Sequence, residues 1–304
     1  MKKYLLSTIV HLKTVSSVVP HFRDVIPDLI GDRDSRFHGN DKRGFEITYK
    51  FFSAWGGPSL ILISLVGIWE LTVHLFNVPL WQLPPPSAIE QELVNNWSLL
   101  WLHTAVTLEE VILGFSVALI AGIVLAIGIA YSKILERSIY PIIIASQTIP
   151  VIAIAPLLLI WIGYGILPKV IVVAITSFFP ITVNSVDGIK SVDADMVNMM
   201  RTMGASKWQI FTKLQIPNAM PYLFSGIKVG VSISVIGAVI GEWVGASKGL
   251  GYLITYSQPL FLTARVFAAI FILSVMGIGL FLLASLAERL MLPWHYTEKR
   301  VKAY

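Results

Sequence analysis

Asp187–Pro221 reads DGIKSVDADMVNMMRTMGASKWQIFTKLQIPNAMP, a polar and patterned stretch between two long apolar runs, Leu167–Val186 and Tyr222–Val244. It is too long to be a mere connector. Asp193-Ala194-Asp195 supplies acids suited to a helix N-terminus, so a short helix is expected over Met196–Thr202, with Gly204 turning the chain after it. A second amphipathic helix is expected over Ser206–Leu214, with Trp208, Phe211 and Thr212 near one face and Lys207 and Lys213 left to solvent. Pro217 is expected to stop it. Pro221 then opens the next apolar run at a first-turn position, where its missing N–H costs nothing.

The flanking runs belong to a series: Pro58–Phe76, Ala105–Tyr131, Ile139–Ile162, Leu167–Val186, Tyr222–Val244 and Ala264–Leu286. Each approaches or exceeds the roughly 20 residues that a helix needs to cross a hydrocarbon core. None shows the alternation of a membrane barrel. Only 13% of the 304 residues are charged, 55% are hydrophobic, and the mean hydropathy is +0.73. An ordinary soluble chain carries about 25% charged residues, so too little polar chain remains to cover six such helices in water. The expected fold class is all-α, a polytopic membrane protein with six transmembrane helices. With no cysteine, the chain has no disulfide framework, thiolate metal site or cysteine nucleophile.

Basic residues orient the helices. With both termini in the cytoplasm, nineteen Lys and Arg lie inside and three (Lys169, Lys248 and Arg265) outside, leaving Lys228 within a span. Lys228 is expected to snorkel towards the headgroups rather than serve a path. The first fifty residues carry nine of the inside charges, lack any period, and resemble translated intergenic repeats that lengthen bacterial gene models. Met1-Lys2-Lys3 followed by Tyr4–Val10 hints at a signal peptide, but His11 and Lys13 end the apolar stretch at the shortest useful length. The expected organisation is a polar, disordered extension over 1–50, a transmembrane domain over 51–295 with its loop at 187–220, and a cytoplasmic tail over 296–304. The working start is expected nearer Phe45.

By periodicity alone the 187–220 loop reads equally as a hairpin lying in the headgroup region. Its residues favour another role. Met200-Arg201-Thr202-Met203-Gly204-Ala205-Ser206-Lys207-Trp208-Gln209-Ile210-Phe211, then Leu214-Gln215-Ile216-Pro217, resembles the EAA loop of ABC importer permeases. Gly204, Leu214, Ile216 and Pro217 fall at matching spacings, while Asn198-Met199-Met200 stands where that motif has E-A-A, so its acid is missing. Leu83-Pro84-Pro85-Pro86-Ser87, Trp161-Ile162-Gly163-Tyr164-Gly165 and Gly249-Leu250-Gly251-Tyr252 extend the resemblance to permeases of the nitrate/sulfonate/taurine type. Ile240-Gly241-Glu242-Trp243-Val244 looks closest to members for thiamine-precursor pyrimidines or riboflavin.

The resemblance implies the permease fold of a type I importer in a bacterial plasma membrane. It implies two copies of the permease, a cytoplasmic ABC ATPase dimer and an external solute-binding protein, with no nucleic-acid partner. Met203–Leu214, including Ala205 and Ser206, would contact the ATPase, with Trp208 and Phe211 as apolar anchors and Arg201, Lys207 and Lys213 as rim charges. ATP and Mg would belong to the partner, and no cofactor or metal to this chain, which has no G-x-x-x-x-G-K-[ST]. The chain would not be an enzyme: no H-E-x-x-H, G-x-S-x-G or intramembrane carboxylate pair is evident.

Breakers within spans mark either a translocation path or simple kinks, because irregular backbone at membrane depth survives only where protein or water covers it. Gln147, Thr148 and Pro150 in the third run, and Ser177 and Asn184 in the fourth, allow both readings. Glu242 at the end of the fifth is either an external gate contact or a structural hydrogen-bond acceptor. Gly226, Gly230, Gly237 and Gly241 give that run a close-packing face. The alternative function is a secondary transporter driven by an ion gradient, which would show inverted halves and ionisable groups at the midplane. A membrane scaffold that transports nothing would need only the interfacial hairpin.

Overall fold

Each apolar run becomes a helix, since lipid offers its backbone no other partners, and proline, glycine and serine decide where the helices end. A computed structural model of the chain describes residues 42–294, with side chains from Gly56 onward. The expected disorder of residues 1–41 and the tail after 294 lie outside the described residues. The chain separates after Asn77 into two units. In the first, helix α1 (Lys42–Leu75) contains Pro58 and a span from Gly56 to Leu75. It begins before the boundary expected near residue 50.

The second unit opens with α2 (Pro86–Asn95), whose proline occupies the first helical position. A long helix, α3 (Trp97–Tyr131), follows, then α4 (Lys133–Ser146), capped by the Ser132 hydroxyl accepting from Leu135 N at 3.3 Å. Next come α5 (Val151–Ile162) and α6 (Ile166–Lys190). The loop region holds α7 (Ala194–Thr202) and α8 (Lys207–Ile210), and the chain then passes through a π turn, Phe211–Gln215, into α9 (Ile216–Trp243). Finally α10 (Leu250–Ser257) precedes α11 (Thr263–Met291).

Five described helices are long and apolar enough to cross a membrane. The sixth expected span is present as the pair α4 and α5, which meet at 99°. Four residues, Gln147–Pro150, join them, and Pro150 has no N–H with which to continue α4. Pro217 does not stop the loop helix as expected. Ile216 N donates to Phe211 O, the wide closure of a π turn, and Pro217 sits directly after it in the first turn of α9. The missing N–H therefore falls where the ladder is already shifted. Lys207–Trp243 consequently runs as one helical segment of 37 residues, with Pro221 inside it rather than at its start.

The core of the bundle is α6 held between α3 and α9. Their contact is backbone against backbone. A Cβ on Gly226 would lie 2.7 Å from Pro180 O, and one on Gly230 3.1 Å from Ile181 Cγ1. A Cβ on Gly237 would strike Thr176 Oγ1, and one on Gly114 of α3 would strike the Val173 side chain. Val111, Val173, Val235 and Ala238 fill the space that remains. Lys228 does not snorkel: its Nζ lies 2.7 Å from Glu288 Oε2 on α11. Sequence spacing could not anticipate a partner sixty residues away on another helix. Overpacking a tight seam costs about 1–3 kcal/mol. Gly114→Ala and Gly237→Ala should each lower the thermal midpoint of the solubilised protein, whereas Gly279→Ala, where a Cβ meets nothing within 4 Å, should leave it unchanged or raise it. Equal midpoints for all three would refute the seam.

Candidate functional site

The loop end of the bundle is built from short capped helices. Asp193 caps α7 by accepting from Asp195 N at 2.9 Å. Ser206 and Gln209 cap α8 reciprocally, the Ser206 hydroxyl accepting from Gln209 N and Gln209 Oε1 from Ser206 N. Between them Gly204 adopts φ +80°, a left-handed conformation that a side chain would resist, and Ala205 N closes the turn on Met200 O at 3.0 Å. This geometry sets Met196, Met199 and Met203 along one side of α7, at spacings of three and four residues. Met203 is 78% exposed and Trp208 70%. Asn198, Arg201, Lys207 and Lys213 are also exposed, while Ala205, Leu214 and Pro217 are half-buried.

Phe211 departs from expectation. Its ring is buried, packed edge-on against Tyr131 at 5.4 Å, with Trp208 tilted against it at 5.6 Å. The Tyr131 hydroxyl also bonds Gln215 Oε1. Buried there, Phe211 anchors the loop to its own bundle. The outward apolar surface comes instead from the methionines of α7, which amphipathic periodicity over 206–214 could not suggest.

At the opposite end of α9 lies a buried polar cluster. Glu242 is 1% exposed. Its carboxylate accepts from Thr107 Oγ1 at 2.6 Å and from the backbone N–H of Gly251. Thr107 Oγ1 in turn accepts from Leu250 N at 2.8 Å, and His103 Nδ1 accepts from Gly249 N at 3.0 Å. Three successive amides at the start of α10 are thus held by side chains of α3 and α9. A carboxylate is well placed there, since a helix start carries partial positive charge. The space is exact: a Cβ on Gly249 would overlap the Glu242 carboxyl, and one on Gly251 would come within 2.8 Å of it. That contact explains the glycines of Gly249-Leu250-Gly251. His103 also stacks on Tyr252 at 5.9 Å.

Beside Glu242 sits the carboxyl of Glu110, which accepts from Lys169 Nζ at 2.6 Å. The expectation of no intramembrane carboxylate pair is therefore overturned. Glu110 lies inside the second apolar run and Glu242 at the end of the fifth, and only the packing of α3 beside α9 brings them together. An acid within such a run was the available signal. The contacts of Glu242 are those of the structural acceptor: it closes a clamp.

The remaining candidates lie elsewhere. Gln147, Thr148 and Pro150 form the break between α4 and α5, where Gln147 lines a cavity of about 570 Å³. Asn184 donates to Pro180 O at 2.7 Å, and Ser177 Oγ is buried without a described partner. Both sit on the α6 stretch that meets Gly226 and Gly230, away from the break.

Residues 118–293 match the family model described as binding-protein-dependent transport system inner membrane component. The formylaminopyrimidine transport permease protein of Halalkalibacterium halodurans is 40% identical over 238 residues, covering 78% of this chain and 95% of that protein. The riboflavin transport system permease protein of Chloroflexus aurantiacus is 37% identical, covering 79% and 90%. The taurine transport system permease protein of Escherichia coli is 26% identical, covering 77% and 88%. Among solved structures, an inward-facing form of the MetNI methionine ABC transporter shares the fold at a TM-score of 0.51 and 19% identity, covering 66% of this chain and 97% of that one.

The clamp makes a local prediction. Glu242→Ala leaves the Gly251 amide unpaired in a buried site, a cost of about 1–3 kcal/mol, and leaves the Thr107 hydroxyl only its longer bond to His103 O at 3.2 Å. Lys248 is exposed immediately before the clamped amides. Trypsin should therefore cut after Lys248 faster in Glu242→Ala and in Gly251→Ala than in the parent, with Glu242→Gln between them. Unchanged cleavage would refute the clamp.

Proposed function

The chain belongs to the family of binding-protein-dependent transport system inner membrane components and is a permease subunit of an ABC importer, and from that premise we propose how it works. Two copies form the path in a bacterial plasma membrane, with both termini and the 187–220 loop in the cytoplasm. An ATPase dimer binds at that loop, and an external binding protein delivers the solute at the opposite face. ATP and Mg act on the partner subunits.

One observation carries the reading: exposed apolar side chains, Met199 and Met203 at the end of α7 and Trp208 at the head of the helix that continues into a span, stand on the loop. Methionine side chains adapt to a groove, and a central Trp is the kind of anchor on which interfaces depend. Arg201 and Lys207 sit nearby as rim charges that steer association. Because α8 and α9 form one helical segment, displacement of Trp208 is displacement of α9. Two similar permeases are named for formylaminopyrimidine and riboflavin transport, and a solute of that kind is our reading here, with sulfonate, taurine or nitrate as the other family chemistries.

A second reading, transport driven by an ion gradient, draws on Glu110, Lys169 and Glu242, ionisable groups buried within spans. Uptake that persists without ATP and collapses with the proton gradient would select it.

Co-purification with an ABC ATPase from the same organism tests the loop assignment. Met203→Asp and Trp208→Asp should each weaken capture about 30-fold or more, the scale of a lost interface anchor of 2 kcal/mol. Phe211→Ala should instead lower the thermal midpoint of the permease. Full capture by both aspartate variants would sink the assignment.

A further inference from the structure

We propose that the cavity beside the break between α4 and α5 holds the transported solute midway across the membrane, and that it is shaped for an uncharged planar heterocycle. The proposal rests on the importer reading above and deepens it. Phe178 is the middle residue of α6 (Ile166–Lys190), and at 1.5 Å per residue it lies roughly 18 Å from either end. The cavity it lines with Phe179, Ala121 of α3, Ile233 of α9, Thr176 and Gln147 is therefore at mid-span depth.

The break is the first argument. Gln147–Pro150 leaves the helical ladder inside a run that is otherwise apolar. The amides of Thr148, Ile149 and Ala153 bond back to Ala145 O, Ser146 O and Pro150 O, which leaves those of Val151 and Ile152 without an intrahelical acceptor. In hydrocarbon such groups are costly, and non-helical backbone persists at that depth only against protein or a polar, accessible space. An acyl chain satisfies neither of them. A solute with hydrogen-bonding edges can.

The lining is the second argument. Ser146 Oγ donates to Ile143 O at 2.7 Å, which leaves its lone pairs free to accept. The exposed Gln147 amide offers both a donor and an acceptor. The other walls are aliphatic, apart from the rings of Phe178 and Phe179. A flat heterocycle presents this combination: faces for aromatic contact and edges that alternate donor and acceptor.

Charge decides between solute classes. Every lining residue is uncharged. The lysines within the surrounding spans are already committed, Lys169 to Glu110 and Lys228 to Glu288. A nitrate or sulfonate would stand in this cavity without a counter-charge, in surroundings where an unpaired ion is penalised by several kcal/mol. A neutral ring meets no such penalty. The volume of about 570 Å³ lies in the range typical of small-molecule sites.

The chain has no cysteine, so a single introduced thiol is the one site of labelling on the permease band. Ala121→Cys is placed in the complete permease–ATPase complex in lipid nanodiscs and exposed to a charged, water-soluble methanethiosulfonate. The expected result is labelling that millimolar aminopyrimidine or riboflavin slows at least fivefold, and that equal nitrate or taurine does not slow. Labelling only by a lipid-soluble maleimide would show that acyl chains fill the cavity and would overturn the proposal. Equal protection by the anions would overturn the solute class. In uptake assays Gln147→Ala should raise KM for the heterocycle about tenfold, the loss of one buried hydrogen bond, while ATPase capture is retained. An unchanged KM also overturns the proposal. Loss of ATPase capture by the parent protein would instead defeat the underlying importer reading.

Discussion

Everything in the bundle depends on how closely α6 approaches its two neighbours. Lipid provides no hydrophobic drive between helices, so association must come from dispersion contacts and hydrogen bonds at short range. Glycine at Gly226, Gly230, Gly237 and Gly241 removes the side chains that would hold α9 away, and Gly114 and Gly122 do the same on α3. The result is a dry triple layer in which α6 has little freedom of its own. Polar side chains can then be placed at its ends, because the packing fixes them to within hydrogen-bonding tolerance.

The charged groups inside the bundle follow from the same constraint. Lys169 and Lys228 each find a carboxylate on another helix, at 2.6 and 2.7 Å. Such pairs contribute little net stability, because desolvation offsets their attraction. Their consequence is one of register, since an unpaired lysine in that interior would be strongly unfavourable and only the observed packing pairs both. Glu242 extends this to the backbone of α10, fixing the loop after α9 to α3 as well.

How much of this was legible in the sequence varies with the range of the interaction. Local signals served well. The apolar runs located the helices, the small-residue spacing of α9 located its packing face, and Gly204 located the turn before α8. Proline was harder to interpret. Pro150 breaks a span outright, while Pro217 and Pro221 are absorbed into a continuous helix because a π turn precedes them, and periodicity contains no sign of a π turn. Long-range pairs were invisible. Nothing in the neighbourhood of Lys228 announces Glu288, and the clamp joins residues more than 130 positions apart. Phe211 shows the intermediate case: its amphipathic position was legible, but its packing against Tyr131 of α3 was not.

The unbroken segment from Lys207 to Trp243 has one more consequence, which is one of gearing. Its 37 residues extend over roughly 55 Å, so each degree of tilt at one end displaces the other by about 1 Å. A hydrogen bond loses most of its strength over a comparable distance. The carboxylate of Glu242 therefore stands at the far end of a long arm whose short angular movements are read out as bonds kept or lost. Gly241 lies beside Glu242 and moves with it, so the end of the glycine seam and the Glu242–Gly251 bond are kept or lost together.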